Sequence, residues 1–178
     1  MLDTQNTHNE ISIFDKPRPA IWSEVSDEQW NSWRWQLANR ITTVEQLRKV
    51  VPLSEAEENV IAESLVKLRM AITPYYASLI DVDDPQCPIR MRSIPTIEET
   101  YIREEDMVDP LHEDIDSPVP GLTHRYPDRV LMLLTDQCSM YCRHCTRRRF
   151  AGETDRPQKR AVFDDMVQYV KDNPGVRD

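Results

Sequence analysis

Glycine is almost missing from this chain: Gly121, Gly152 and Gly175 are the only three in 178 residues. Their isolation excludes a glycine-rich phosphate loop of either the mononucleotide or the dinucleotide type, since both need clustered glycines. Long apolar runs are missing too. Nothing approaches the roughly 20 apolar residues of a membrane helix, and the opening Met1-Leu2-Asp3-Thr4 is polar rather than a secretory leader. The expectation is a cytoplasmic protein with no membrane partner. Four cysteines, three of them crowded together, and no secretory signal suit metal in a reducing cytosol better than a disulfide framework. Positive charge is the scarcer sign: 22 Lys and Arg against 31 Asp and Glu leave a formal net charge of −9. That balance argues against general affinity for nucleic acid or anionic membranes. No internal repeat or low-complexity tract occurs. Hydrophobic content of 39% with 30% charged residues describes a soluble globular chain, long enough for one domain and an extension.

What is present is concentrated. Three of the four cysteines fall in Cys138-Ser139-Met140-Tyr141-Cys142-Arg143-His144-Cys145. Thiolates are soft ligands that select iron–sulfur clusters, zinc or copper(I). A cubane cluster takes one thiolate per iron, so three cysteines leave one iron open to a small ligand. The competing reading is zinc, completed by His144 or Cys87. His144 sits between two ligands, where folding onto the same metal is cramped. Cys87 has no thiol neighbour in sequence and reads as incidental. Around this motif the charge reverses: from Arg125 to Arg160 stand nine Arg and Lys against four acids. A local cation excess beside a cysteine cluster fits anionic ligands. The ordinary alternative for each arginine is a surface ion pair.

Along the chain, residues 1–25 read as a loose arm. Ser26-Asp27-Glu28-Gln29 is a capping box opening a helix with Trp30, Trp33, Leu37 and Ile41 on one face. Thr43 to Val50 makes a short second helix. Ser54-Glu55-Ala56-Glu57 opens a third, with Ile61, Leu65, Leu68 and Ile72 aligned, which Thr73-Pro74 breaks before a further helix through Ile80. From Asp81 to Thr123 many prolines and acids predict an extended, irregular segment, with one helix over Thr96 to Arg103. Its acids Glu104, Glu105, Asp106, Glu113, Asp114 and Asp116 could be metal ligands but read mostly as solvated surface. Tyr126-Pro127-Asp128-Arg129 is a turn feeding the strand Val130–Leu134, whose continuous apolar run predicts burial on both faces in a parallel sheet. Phe163, Met166, Val167 and Val170 mark an amphipathic helix ending near Asn173-Pro174-Gly175, and Val176-Arg177-Asp178 resembles the start of another strand. One β/α unit cannot close a sheet or barrel, so the expected catalytic domain is incomplete.

The C-x3-C-x2-C motif after a strand resembles the signature of radical S-adenosylmethionine enzymes. The longer strings His124–Val130 and Cys138–Gly152 are similar to the lysine 2,3-aminomutase family. So are Leu68–Tyr76 and Asp109–Asp114 further upstream. The resemblance implies an α/β architecture in two parts. Residues 1–123 would be an N-terminal helical and extended region, and 124–178 the truncated first β/α unit of a partial (β/α) barrel. It implies an isomerase that moves the amino group of lysine from carbon 2 to carbon 3. Its cofactors would be a [4Fe–4S] cluster on Cys138, Cys142 and Cys145, S-adenosylmethionine at the open iron, and pyridoxal 5′-phosphate. Arg125, Tyr126 and Arg129 match positions that contact pyridoxal phosphate, and Arg147 matches the partner of the substrate carboxylate. The pyridoxal lysine and the acids gripping the side-chain amine would belong to an absent C-terminal portion. Relatives acting on glutamate, arginine or a lysine of translation elongation factor P, and a non-catalytic iron–sulfur or zinc module, are the alternatives. The family also implies an electron donor such as flavodoxin or ferredoxin, and a homo-oligomer at full length.

Overall fold

The computed structural model describes residues 18–178; most of the arm expected at the N-terminus lies outside the described residues. The helices are α1 (Asp27–Trp30), α2 (Trp33–Ala38), α3 (Val44–Leu47), α4 (Glu55–Leu65), α5 (Pro74–Ser78), α6 (Pro88–Ser93) and α7 (Arg160–Asp172). Two strands, β1 (Leu122–Tyr126) and β2 (Arg129–Met132), stand between α6 and α7. Helices joined to a small two-stranded sheet bear out the mixed α/β class in its coarse form.

The capping boxes at Ser26/Gln29 and Ser54/Glu57 form as the sequence predicts, and a third forms at Thr43/Gln46. The first predicted helix is nevertheless two. It stops at Asn31, and Ser32 caps α2 by accepting from the Trp35 N–H. The interruption turns Trp33 outward, 62% exposed, while Trp30 and Trp35 pack against the core. α4 also ends before Leu68 and Ile72. Ile72 lies instead in extended backbone, bridged to Ile41 by hydrogen bonds of 2.8 and 3.0 Å. Pro74 starts α5 as expected; Pro88 starts α6, which the sequence reading missed. A turn of 3-10 helix over Ile97–Thr100 is all that forms of the helix predicted from 96 to 103.

The hydrophobic core belongs to this helical region: Trp22, Ile41, Val44, Leu47, Val51, Ile61, Met70, Ile72 and Ile80 all sit in it. Cys87 is buried among them, and its sulfur accepts from the Asp81 N–H. That accounts for the solitary cysteine as a core residue.

The strand reading needs correction. β1 and β2 form an antiparallel hairpin turning at Pro127-Asp128, with an irregularity between Thr123 and Tyr126. The apolar run is not buried on both faces: Leu131 and Leu134 are exposed, and residues alternate along β2. The run predicted a parallel strand because it lacks alternation, but two of its five side chains are exposed. Residues 177–178 touch the other side of the hairpin without forming a strand. The Val130 N–H donates to the Asp178 carbonyl and the Arg177 N–H to the Asp128 carbonyl, so 177–178 runs in the direction of β2. Between them α7 lays Met166, fully buried, against Gly121.

Candidate functional site

The cysteine motif leaves β2 and folds back onto the helical core rather than hanging from a strand end. Met140 bridges Ile72, the same residue that pairs with Ile41. The Tyr141 N–H donates to the Ala71 carbonyl, the Thr73 N–H to Ser139, and the Arg143 N–H to Arg92. Backbone bonds of this kind position a loop as firmly as an edge strand is positioned.

Side chains add a second tie. Arg40 donates from Nη1 to the Cys138 carbonyl at 2.8 Å and pairs with Asp155 at 3.0 Å. The Tyr141 hydroxyl donates to the same Asp155 carboxylate. Burial, reinforced by Asp155, pushes the Tyr141 phenol up to about 12. The ring lies directly against Gly152, whose φ is +70° and where a Cβ would come within 2.2 Å of the ring. Asp136 holds the return of the loop by accepting from the backbone N–H groups of Thr154, Asp155 and Arg156. Burial opposes ionisation of Asp136, but those donors outweigh it and hold the carboxyl below its ordinary value.

Cys138, Cys142 and Cys145 all line one cavity of about 140 Å³. All three thiols are free. Burial pushes the Cys138 thiol up, and the neighbouring Cys145 and Cys142 sulfurs reinforce the shift. The sulfurs share a wall without being drawn into a closed ligand set: among the described residues no group of three or more His, Cys, Asp and Glu is placed to hold a metal. His144, the alternative zinc ligand, turns its Nε2 to Arg92 at 3.1 Å and does not line this cavity.

A second cavity, of about 440 Å³, has Cys138, Cys145, Arg147, Glu113 and Thr123 in its lining. A third, of about 310 Å³, is lined by Arg125, Tyr126, Arg129 and Arg147, again with Glu113 and Thr123. The four residues matched to pyridoxal phosphate and substrate carboxylate thus surround one space. Arg147, Glu113 and Thr123 line both that space and the cavity of Cys138 and Cys145.

Sequence reasoning missed what holds the arginines. Arg147 pairs with buried Glu113 at 2.5 Å, Arg125 with Asp116 at 2.7 Å, and Arg149 with Asp109 at 3.2 Å and Asp114 at 2.7 Å. Arg143 and Arg148 converge on Glu99. Arg129 pairs with its neighbour Asp128 at 3.0 Å and places its guanidinium 5.5 Å from the Tyr126 ring centre. The Asp116 carboxylate holds the Arg125 guanidinium above its ordinary value, and Asp128 does the same for Arg129. Glu113, Asp114 and Asp116 are therefore partners of these arginines; Asp114 is exposed as expected of most of these acids, whereas Glu113 is buried. The signal for this was in the charge pattern: an acidic segment followed by a basic one, with complementary sign.

No protein-family model matches the chain. Individual proteins do. The L-lysine 2,3-aminomutase of Clostridium subterminale is 57% identical over 161 residues, covering 90% of this chain and 39% of the relative. That of Acetoanaerobium sticklandii is 59% identical over 168 residues, covering 94% and 40%. A glutamate 2,3-aminomutase of Clostridioides difficile is 42% identical over 153 residues, covering 86% and 36%. The chain spans about two fifths of the length of the lysine aminomutases it matches. Over those residues, the chain is similar to the L-lysine 2,3-aminomutases at 57–59% identity.

Proposed function

We propose that this chain forms the cluster-bearing and carboxylate-binding part of a radical S-adenosylmethionine aminomutase that converts L-lysine to L-β-lysine. The observation that supports it most strongly is the placement of Arg147, which lines both the cavity of Arg125, Tyr126 and Arg129 and the cavity of Cys138 and Cys145. Cofactor, substrate and radical source must meet within one space for such a reaction, and Arg147 stands at that junction.

The residues fit the groups the family implies. Three free thiols on one cavity, with His144 directed elsewhere, suit a cubane that leaves one iron for S-adenosylmethionine. Arg125 and Arg129 suit the phosphate of pyridoxal 5′-phosphate, and Tyr126 offers an aromatic face beside it. When bound, these cofactors supply hydrogen abstraction and the electron delocalisation that amino migration requires. The chain's own residues bind and orient. Arg147 takes the α-carboxylate, the end common to lysine and glutamate, and fixes the amino acid relative to the cysteines. Arg40, Tyr141 and Asp155 hold the cysteine loop in place. Lysine is favoured over glutamate by the higher identity to lysine aminomutases. The finer architecture, a partial (β/α) barrel beginning with β2 and α7, is supported by the parallel direction of 177–178 beside β2. A flavodoxin or ferredoxin as electron donor, homo-oligomeric assembly and a cytoplasmic location complete the proposal.

The test is a chimera in which this chain replaces the corresponding part of the Clostridium subterminale enzyme. A soluble, cluster-loaded chimera should form β-lysine from L-lysine, and Arg147→Lys should impair it by about 2–3 kcal/mol in transition-state free energy, since lysine keeps the charge but loses the planar grip. A fully loaded chimera without turnover, or one indifferent to Arg147→Lys, contradicts the assignment.

A further inference from the structure

Arg147 has a partner that the assignment of its role does not use. Nη2 donates to Glu113 Oε1 at 2.5 Å, and the Glu113 side chain is 8% exposed. The Nε–H of the same guanidinium is buried and makes no hydrogen bond among the described residues. A guanidinium carries five N–H donors in a rigid plane. Here one carboxylate oxygen holds it from one side, Nε–H stays buried without a partner among the described residues, and Arg147 lines two cavities. Buried polar groups ordinarily find partners, so this donor marks the place of an acceptor from outside the chain.

We infer that Glu113 is a positioning and affinity-setting residue for the carboxylate bound at Arg147: it locks the guanidinium plane so that Nε–H faces the ligand, and its charge weakens the binding it orients. The inference rests on the carboxylate role of Arg147 proposed above. Its physical basis has two parts. A buried carboxylate paired with a single cation keeps that cation in place, because separating them strands both charges. An arriving carboxylate meets a pair that is already neutral, and it feels the repulsion of Glu113 together with the attraction of Arg147. Glu113 therefore gives up affinity for fixed orientation. Such an arrangement suits a site that must hold an amino acid in one pose and still release it.

The test uses the 178-residue chain with nitrogen-labelled arginine, following the Arg147 Nε–H signal by NMR during titration with sodium acetate, with sodium chloride as the ionic-strength control. Acetate should shift the Arg147 signal and chloride should not; the signal is identified by its loss in Arg147→Lys. Glu113→Gln keeps an oxygen acceptor but removes the charge, so it should tighten acetate binding by about tenfold while the signal stays sharp, as expected for removing a like charge a few ångströms away. Glu113→Ala should tighten binding too but broaden the signal, because the guanidinium loses its anchor. Unchanged or weaker acetate binding in Glu113→Gln, with Arg147 still responding, overturns the inference and leaves the carboxylate role of Arg147 standing. No response to acetate beyond that to chloride, in the native chain and in Glu113→Gln alike, overturns both.

Discussion

Arg143 and Glu99 join the cysteine motif to the acidic segment through a two-point ion pair that is nearly closed to solvent. Arg143 Nη2 lies 2.7 Å and Nε 3.0–3.1 Å from the Glu99 oxygens, with the two side chains 8% and 19% exposed. The other arm of the guanidinium donates to the Arg69 carbonyl at 2.9 Å, so one side chain ties three segments together. Arg148 reaches the same carboxylate and the Arg143 carbonyl.

Glu99→Gln should therefore destabilise the chain by about 2 kcal/mol, because it strands a buried guanidinium; the partial exposure of Glu99 keeps the cost below that of a fully buried pair. Burial opposes ionisation of Glu99, but Arg143 and the Thr96 N–H outweigh it and hold the carboxyl below its ordinary 4.5. A carboxyl depressed in the folded state stabilises above its unfolded value, and that stabilisation disappears as pH falls through the folded one. Denaturant midpoints measured from pH 6 downward should fall below about pH 4.5 in the native chain and fall less steeply in Glu99→Gln. Equal slopes would show that the pair contributes nothing.

Tyr141 makes the opposite pH prediction. Its phenol is raised above the usual 10.0, so the stabilisation it gives is complete below pH 10 and is lost as pH rises toward about 12. Of the six tyrosines, one should ionise late in an alkaline absorbance titration, and Tyr141→Phe should remove that late step. The same substitution leaves Arg40 and Asp155 paired, so it should cost only about 1 kcal/mol, the worth of a hydrogen bond. A titration in which the late step survives in Tyr141→Phe would place the perturbed phenol elsewhere.

Gly152→Ala should disorganise the cysteine loop without touching a cysteine. Alanine at φ +70° costs about 1 kcal/mol in backbone strain alone. Its Cβ would also overlap the Tyr141 ring, which is pinned by Asp155 and Arg40. The expected signature is loss of near-ultraviolet ellipticity from Tyr141 with the helical signal retained. A variant with native spectra and native stability would show that the ring has room to move.

The parts of this molecule written in local sequence were legible, and those set by distant pairing were not. Caps depend on residues three apart, so Ser26/Gln29 and Ser54/Glu57 could be read directly. The boundary at Ser32 was hidden because Trp30, Trp33, Leu37 and Ile41 keep helical spacing across it. Val130–Leu134 read as a doubly buried parallel strand, whereas its observed neighbour is the short polar β1, Leu122–Tyr126, which has little apolar signal of its own. The cysteines and arginines of the site stood out by spacing and charge. Arg125 and Arg129 are held by near neighbours, Asp116 and Asp128, but the acids that hold Arg147 and Arg148, Glu113 and Glu99, lie 34 and 49 residues earlier, and only the fold brings them together. The bridge Ile41–Ile72–Met140, which seats the cysteine loop on the core, has no sequence signature at all.

Anaerobic reconstitution of the chain with iron and sulfide is the most direct test that Cys138, Cys142 and Cys145 form one cluster site beside Arg147. The account predicts a brown protein with the paramagnetic signal of a reduced cubane, altered on adding S-adenosylmethionine. Replacing any one of the three cysteines by Ala should abolish the signal, while Cys87→Ala, a change in the helical core, should keep it. A colourless protein that takes up zinc in place of iron and gives no cubane signal would contradict the account.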